Sequence, residues 1–212
     1  MTPLVTRIAG QKFSLHPLAA AYWEEQDMLL LADVHLGKAG HFRKAGMPIP
    51  QTGILKDYEH LDILCETYNP GTICFLGDLF HSSINKEFDL FAEWSCAATS
   101  RLVLVSGNHD IIADVHYEKL GIEIMEEWTI DNFHLTHEPQ DSPGLINMAG
   151  HIHPGIELNG RGRDRMRLPI FHLNSWGLLF PAFGSMTGLY CIQPQRGDRV
   201  FVLAGEQVVE MD

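Results

Sequence analysis

Five short clusters of aspartate, asparagine and histidine lie along this 212-residue sequence and could bind metal ions. Each follows a run of apolar residues typical of a buried strand, and a turn or loop comes after it. Open α/β sheets gather ligands outside the carboxyl ends of their strands, so we expect the clusters to meet at one edge. In chain order they are Asp33-x-His35, Gly77-Asp78, Gly107-Asn108-His109-Asp110, Thr136-His137 and Gly150-His151-Ile152-His153.

Each cluster taken alone also has an ordinary structural explanation. An aspartate after a strand can cap a helix, asparagine and aspartate are common in turns, and a lone histidine is usually structural. The first three clusters, however, all follow apolar runs, at residues 28–32, 72–76 and 102–106. Because similar clusters occur five times in one chain, a metal site explains them better than five unrelated turns.

The predicted secondary structure that positions these clusters differs between the two halves of the chain. A hairpin is expected over residues 5–15, a strand or helical turn over 19–23, and helices over 52–68 and 86–99 between the first three cluster-bearing strands. After Asp110 the pattern predicts mainly strands, at 122–125, 133–136, 145–149, 165–173, 178–180, 189–192, 200–203 and 207–209. We therefore expect an α/β fold with two packed mixed β-sheets flanked by helices, in a single domain over residues 1–212.

Composition and charge limit the classes of function. The net charge of −12 argues against broad, nonspecific coating of nucleic acid, so contact with a polyanion must be local. The four cysteines are far apart and have apolar neighbours, which indicates reduced core thiols in a reducing compartment. Without an apolar signal region or a membrane-length apolar run, the sequence predicts a cytoplasmic protein with no membrane partner.

Candidate substrate-binding residues lie near the clusters. A long loop over residues 36–51 carries Arg43, and His81 follows the Gly77-Asp78 cluster. Arginines at every second position of a strand would project to one face, and four are so spaced after His153. This ribbon is either a solvated hairpin or a phosphate-binding surface, and its members are Arg161, Arg163, Arg165 and Arg167.

The complete pattern DxH, GD, GNHD, H and GHxH resembles that of the calcineurin-like metallophosphoesterase superfamily. ADVHLGK, GDLFH and GNHD look like motifs of its double-strand-break repair nucleases. The segments IAGQKFSLHP, HFRKAGMPIP, GHIHPGI, RLPIF and LLFPAFGSMTG are similar to the bacterial DNA-ligase-associated metallophosphoesterases, over nearly the whole length. That resemblance implies a compact four-layer metallophosphoesterase sandwich, and a role in DNA repair beside a ligase, a helicase and an exonuclease.

The resemblance also implies roles for the individual residues. His109 would act as general acid or as a donor to a phosphoryl oxygen, with Asp110 as an orienting partner. His81 stands where phosphatase members have an acid, which favours the nuclease branch and leaves the orienting partner of His109 open. One metal would be held by Asp33, His35, Asp78 and His153, and the second by Asp78, Asn108, His137 and His151, with Asp78 bridging the two.

These observations predict a metal-dependent phosphodiesterase, a DNA endonuclease acting on single strands in preference to duplexes. Two divalent ions would serve a two-metal mechanism, with Mn²⁺ favoured and Fe, Zn²⁺ or Mg²⁺ as alternatives. A phosphoesterase for a small substrate such as a cyclic nucleotide fits the net charge of −12 more easily. A metal-bearing scaffold of a repair complex is the non-catalytic alternative, although a scaffold has no need of His109.

Overall fold

The computed structural model describes residues 1–38, 52–81, 84–160 and 164–211, with the backbone alone at 52–54. Most of the predicted loop over residues 36–51, including Arg43, lies outside the described residues. The same is true of Arg161 and Arg163 in the predicted arginine ribbon.

The first sheet has seven strands that are neighbours in chain order. Strands β1 to β4 pair antiparallel, whereas β4 to β7 pair parallel. In the parallel part Leu31 pairs with Phe75, and Leu76 pairs with Val105, so the carboxyl ends of β4, β5 and β6 lie side by side. The strands are β1 (Leu4–Ile8), β2 (Gln11–His16), β3 (Ala20–Trp23), β4 (Met28–Leu31), β5 (Thr72–Leu76), β6 (Arg101–Val105) and β7 (Ile122–Met125).

Helices lie in the crossovers that parallel strands require. Helix α1 (Thr52–Tyr68) joins β4 to β5, and helix α2 (Lys86–Ala97) joins β5 to β6. The Asn85 side chain caps α2 by accepting a 2.7 Å hydrogen bond from the Glu87 N–H. Apolar side chains of both helices pack on one face of the first sheet, and a short helix α3 (Asp114–Glu118) precedes β7.

The second sheet has nine strands, in the order β14-β11-β12-β13-β10-β9-β8, with β15 attached to β12 and β16 to β15. Strands β9, β10 and β13 run parallel, which brings the chain after β9 and the chain after β10 to one edge. The strands are β8 (Trp128–Ile130), β9 (Phe133–Leu135), β10 (Ile146–Ala149), β11 (Pro154–Asn159), β12 (Arg165–Leu173), β13 (Gly177–Leu179), β14 (Tyr190–Cys191), β15 (Arg199–Ala204) and β16 (Gln207–Met211).

The main core lies between the two sheets, where Phe13 and Trp23 of the first sheet pack against Phe133 of the second. The predicted α/β class with two packed mixed sheets is confirmed. The segment over residues 19–23 is strand β3, whereas β8, β11 and α3 were not expected from the sequence. Within the described residues, no helix combines the length and apolar character needed to span a membrane.

Candidate metal centre

The loops that follow β4 and β5 continue the pairing of these strands beyond the sheet. The Asp33 N–H donates to the Gly77 carbonyl at 3.2 Å, and the His35 N–H donates to the Asp78 carbonyl at 2.8 Å. From the second sheet, the His151 N–H donates to Asp33 Oδ2 at 2.8 Å. Hydrogen bonds donated by main-chain N–H groups thus join the first, second and fifth clusters.

Five of the predicted ligands have the left-handed backbone conformation, which residues other than glycine rarely adopt. Each such residue costs roughly 1–3 kcal/mol, and these conformations concentrate at functional sites. The hydrogen bonds between the loops hold the residues in these strained conformations. Their φ angles are 53° at Asp33, 51° at His35, 53° at Asp78, 67° at His151 and 51° at His153.

One group of possible metal ligands consists of Asp33, His35 and His153, whose donor atoms lie within 4.8 Å of one another. His153 Nε2 is 3.3 Å from His35 Nε2 and 3.2 Å from Asp33 Oδ1. Asp33 Oδ1 is buried and has no hydrogen-bond partner in the described part of the chain. Because a buried carboxylate oxygen is costly without a positive partner, this group fits a cation.

A second group of possible metal ligands includes residues in the segments that follow β6 and β9. His137 Nε2 is 3.4 Å from Asp78 Oδ1 and 3.0 Å from Asn108 Oδ1. His151 Nδ1 lies 3.1 Å from His137 Nε2 and 3.1 Å from Asn108 Oδ1. Asp33 also has a donor atom within 4.8 Å of those of Asp78 and His137, so the two groups adjoin each other.

The second group contains a histidine whose tautomer is fixed by its surroundings. His137 Nδ1 lies 3.0 Å from the Leu76 carbonyl oxygen, which can only accept a hydrogen bond. Nδ1 must therefore carry the proton, and in the neutral ring Nε2 directs a lone pair toward the other ligands.

Asp78 lies between the two groups and is 2% exposed. Its Oδ1 faces His137, whereas its Oδ2 is 3.8 Å from His35 Nε2 in the first group. The His109 N–H also donates to Oδ1 at 2.9 Å. The two oxygens of one carboxylate therefore face different donor groups, as a bridging ligand requires.

Burial controls the charge of His35 in the first group. It lowers the pKa of His35 to about 2, and the positive charge of Lys38 and the neighbouring histidines contribute in the same direction. His35 is consequently neutral near pH 7 and keeps a lone pair for a cation. Burial also lowers the pKa of Lys38, although Asp33 and Asp78 act in the opposite sense.

The Asp110 carboxylate connects two of the loops. It accepts hydrogen bonds from the N–H groups of Asp78 at 2.8 Å, Leu79 at 2.9 Å, Phe80 at 3.3 Å and Gly107 at 2.9 Å. Within the described chain, none of its hydrogen bonds goes to the imidazole of His109, its expected partner. Asp110 therefore holds main chain in place.

His109 and His81 lie at the edge of the two donor groups. Their ring centroids are 5.2 Å apart, and the centroid of His35 is 5.8 Å from that of His109 and 5.4 Å from that of His81. His109 is exposed, so its imidazole can reach a bound substrate.

The two described arginines of the predicted ribbon are not isolated cations. Arg165 Nη1 is 3.6 Å from Glu157 Oε1, and Arg167 Nε is 2.9 Å from Glu157 Oε2. One glutamate on the paired strand β11 thus partly neutralises both arginines. The predicted substrate residues Arg43 and Arg163 lie outside the described residues.

The sequence did not predict that the segment at Gly184 and Ser185 contacts the loop after β4. The Gly184 N–H donates to the Asp33 carbonyl at 3.1 Å, and the Ser185 N–H donates to the buried Asp57 at 3.1 Å. A side chain at Gly184 would collide with the Val34 carbonyl. The glycine in LLFPAFGSMTG was the available signal, because such close backbone approach requires glycine.

Comparison with known proteins identifies the class to which this fold and site belong. The model of the calcineurin-like phosphoesterase family matches residues 28–191, so the chain belongs to that family. Its members are phosphoester-hydrolysing enzymes that use divalent metals, and the clustered Asp and His side chains fit such a site.

A similar solved structure is the nuclease MPE of Pseudomonas putida, with 29% identity, a TM-score of 0.85, and coverage of 99% of this chain and 100% of that one. Yfce, a phosphoesterase from E. coli, has 14% identity, a TM-score of 0.44, and coverage of 87% of this chain and 97% of that one. The comparison with curated proteins gave no significant match.

Proposed function

We propose that the protein is a two-metal phosphodiesterase that cleaves DNA as an endonuclease and prefers single strands. The observation that carries the proposal is the position of Asp78, with one oxygen 3.4 Å from His137 and the other 3.8 Å from His35. The 29% identity to the nuclease MPE over nearly the full length of both chains supports DNA as substrate.

The two donor groups define the proposed ligand sets. Bound divalent ions would supply positive charge to polarise the phosphodiester and to activate water. The oxygen and imidazole ligands suit Mn²⁺ best, with Fe, Zn²⁺ and Mg²⁺ as alternatives. The first set is Asp33, His35, Asp78 and His153, and the second is Asp78, Asn108, His137 and His151.

The remaining residues position the substrate and move a proton. His109 is exposed at the edge of the ligands, where a protonated imidazole can donate to the leaving oxygen of the ester. Asp110 fixes the main chain at Gly107, before His109, and at Asp78 and the two residues that follow it. Arg43, His81, Arg163 and Arg165 are proposed to contact the substrate, with the charge of Arg165 reduced by Glu157.

The charges around the centre favour a narrow substrate. A cleft of about 380 Å³ next to Asn108 and His137 is lined by Glu126, Glu127 and Glu138. Phosphates are repelled on that side, so a strand is expected to approach from the side of Lys38. A duplex would bring phosphates of its second strand near the glutamates, whereas a single strand avoids them.

The cellular setting follows from the resemblance to the DNA-ligase-associated branch. We propose that the protein works in the cytoplasm in DNA repair, together with a ligase, a helicase and an exonuclease. A pull-down of the tagged protein from cells with damaged DNA, followed by mass spectrometry, tests this association.

The activity is tested by offering the metal-loaded protein circular single-stranded DNA, linear single-stranded DNA and a cyclic nucleotide in parallel. An endonuclease linearises the circle, whereas an enzyme restricted to ends leaves it intact. Hydrolysis of the cyclic nucleotide alone would replace the proposal with a small-molecule phosphoesterase. A salt series separates these cases further, because polymer binding releases counterions and small esters release few.

A further inference from the structure

A second cleft lies at the end of the sandwich opposite the metal centre. It has a volume of about 450 Å³ and lies between the β1–β2 hairpin of one sheet and two turns of the other. Ile146 lines this cleft at the start of β10, whereas His151 follows the end of that strand. At about 3.3 Å per residue, the cleft is roughly 15 Å from the proposed ligands.

Four charged residues line the cleft, and two of them have side-chain partners. Arg199 Nε and Nη2 donate to the carboxylate of Glu210 at 2.6 and 3.1 Å. Asp198 Oδ2 is 2.7 Å from His172 Nε2 and accepts from the Gln195 N–H at 2.8 Å. The other two are Arg7 and Arg196.

These two arginines are exposed and form no ion pair with a described carboxylate. The protein has a net charge of −12, so two cationic side chains in one cleft contrast with its overall charge. Arg7 and Arg196 both line the cleft without a described carboxylate partner, so their charge remains available to an anion.

The local turns hold the cleft residues in place before any ligand binds. Arg7 Nη1 donates to the Gly10 carbonyl at 2.7 Å within the hairpin. Arg196 lies in a turn closed by the 3.1 Å hydrogen bond from the Asp198 N–H to the Gln195 carbonyl. Because the turns already restrict these residues, binding costs less conformational entropy.

An aromatic side chain completes the lining. Trp176 lies in the turn between β12 and β13. The main-chain N–H groups of Trp176 and Gly177 donate to Asn174 Oδ1 at 3.1 Å each. Guanidinium groups bind phosphate and aromatic rings stack on nucleobases. We propose that this cleft binds a nucleoside phosphate, free or within a DNA strand, with Arg7 and Arg196 at the phosphate and Trp176 against the base.

The test titrates the metal-loaded, full-length protein with thymidine monophosphate by calorimetry. The variant Arg7→Gln/Arg196→Gln should bind one nucleotide fewer per chain, or bind at the cleft at least about tenfold more weakly, because two charged contacts are lost. Lys56→Gln/Lys119→Gln is the matched control, because it removes the same charge from two exposed lysines that do not line the cleft. It should change the affinity by less than about twofold.

Two further probes identify the ligand. Trp176→Leu should weaken binding of thymidine monophosphate and leave binding of inorganic phosphate unchanged, because only the base contact is lost. A phosphorothioate oligomer of twelve thymidines, which resists hydrolysis, should bind more tightly than the mononucleotide if the cleft holds a strand. Equal affinities would assign the cleft to free nucleotides.

The outcomes separate this site from the metal centre. All variants should hydrolyse bis(p-nitrophenyl) phosphate at the wild-type rate. If the cleft variants lost this activity together with nucleotide binding, the cleft residues would support the fold. Unchanged nucleotide binding in the arginine variant, or equal losses in it and in the lysine control, would overturn the proposal. A wild-type protein that binds the nucleotide here and leaves DNA uncut would refute the proposed function alone.

Discussion

The main-chain N–H of Asp78 donates a 2.8 Å hydrogen bond to Oδ2 of Asp110, a residue 32 positions further along the chain. The same oxygen accepts from the Gly107 N–H at 2.9 Å, so one carboxylate joins the loop after β5 to the loop after β6. It therefore fixes the backbone of the proposed bridging ligand. Supporting contacts of this kind orient metal ligands and commonly affect metal affinity.

We expect Asp110→Asn to lower metal affinity by about 10–100-fold while the protein stays folded. The amide can still accept at its oxygen, but its NH₂ group opposes the N–H donors around it. Hydrogen exchange should speed up at the amides of Asp78, Leu79 and Gly107. Asp114→Asn, an exposed change nearby, is the control, and equal protection in both variants would contradict this role.

Asp78→Asn should remove both metals and abolish hydrolysis. A neutral amide cannot bridge two cations as an anion, and its NH₂ group would face one of the two histidines. Metal content by mass spectrometry and hydrolysis of a chromogenic diester measure the two effects. Asp89→Asn on the exposed face of α2 is the matched control, and retention of two ions with normal turnover would refute the bridging assignment.

His109→Ala should keep the metals and slow hydrolysis by about 10²–10⁴-fold. The ring lies at the edge of the donor groups, 5.8 Å from that of His35, so its loss does not open either ligand set. The decrease should be larger for a poor leaving group than for nitrophenolate, since only the former needs a proton. An equal fold decrease in rate on both substrates would exclude the general-acid role.

Gly150→Ala should weaken metal binding without touching a proposed ligand. A Cβ atom there would lie 2.5 Å from Asp33 Oδ2 and 2.7 Å from the Ala32 side chain, so Asp33 must move. Gly188→Ala adds the same methyl group where no heavy atom lies within 4 Å, and it should bind metal like the wild type. Calorimetric titration with Mn²⁺ compares the two variants, and equal affinities would contradict the prediction.

The sequence pointed to the proposed ligand residues, which the fold brings together, because their order and chemistry are local features. It also predicted α1 and β12 with their observed bounds, although it missed β8, β11 and α3. It could not predict that Asp110 bonds to main-chain N–H groups, because only the fold brings β5 and β6 together. The pairing of Glu157 with Arg165 and Arg167 likewise depends on the register of β11 with β12. The single domain over residues 1–212 and the roles of the site residues remain predictions.

His16 should make the protein less stable in mild acid. Burial lowers its pKa to about 4 from 6.5, so its ring is neutral in the folded protein and accepts from the Leu18 N–H at 3.2 Å. The unfolded chain binds a proton below pH 6.5, so stability is full above that pH and falls as pH decreases toward 4.

The loss between pH 7 and pH 5 is about 2 kcal/mol for this group. Urea unfolding of the metal-free protein at both pH values measures it, with His16→Gln as the comparison. The variant should lose about 2 kcal/mol less than the wild type over this interval, because it has no group to titrate there. An identical pH dependence in both proteins would show that His16 does not contribute.

The proposed ligands are divided between the two sheets, with Asp33 and Asp78 on the first and His137 and His151 on the second. Ions held by ligands from both sheets bind the native arrangement and not the separated halves. Metal therefore stabilises the docked state by RT ln(1 + [metal]/Kd) for each site. A growing chain that has reached residue 110 carries Asp33, His35, Asp78 and Asn108 but still lacks His137, His151 and His153. A molecule whose second sheet has not docked consequently lacks a complete centre, so the proposed cleavage of DNA requires the finished fold.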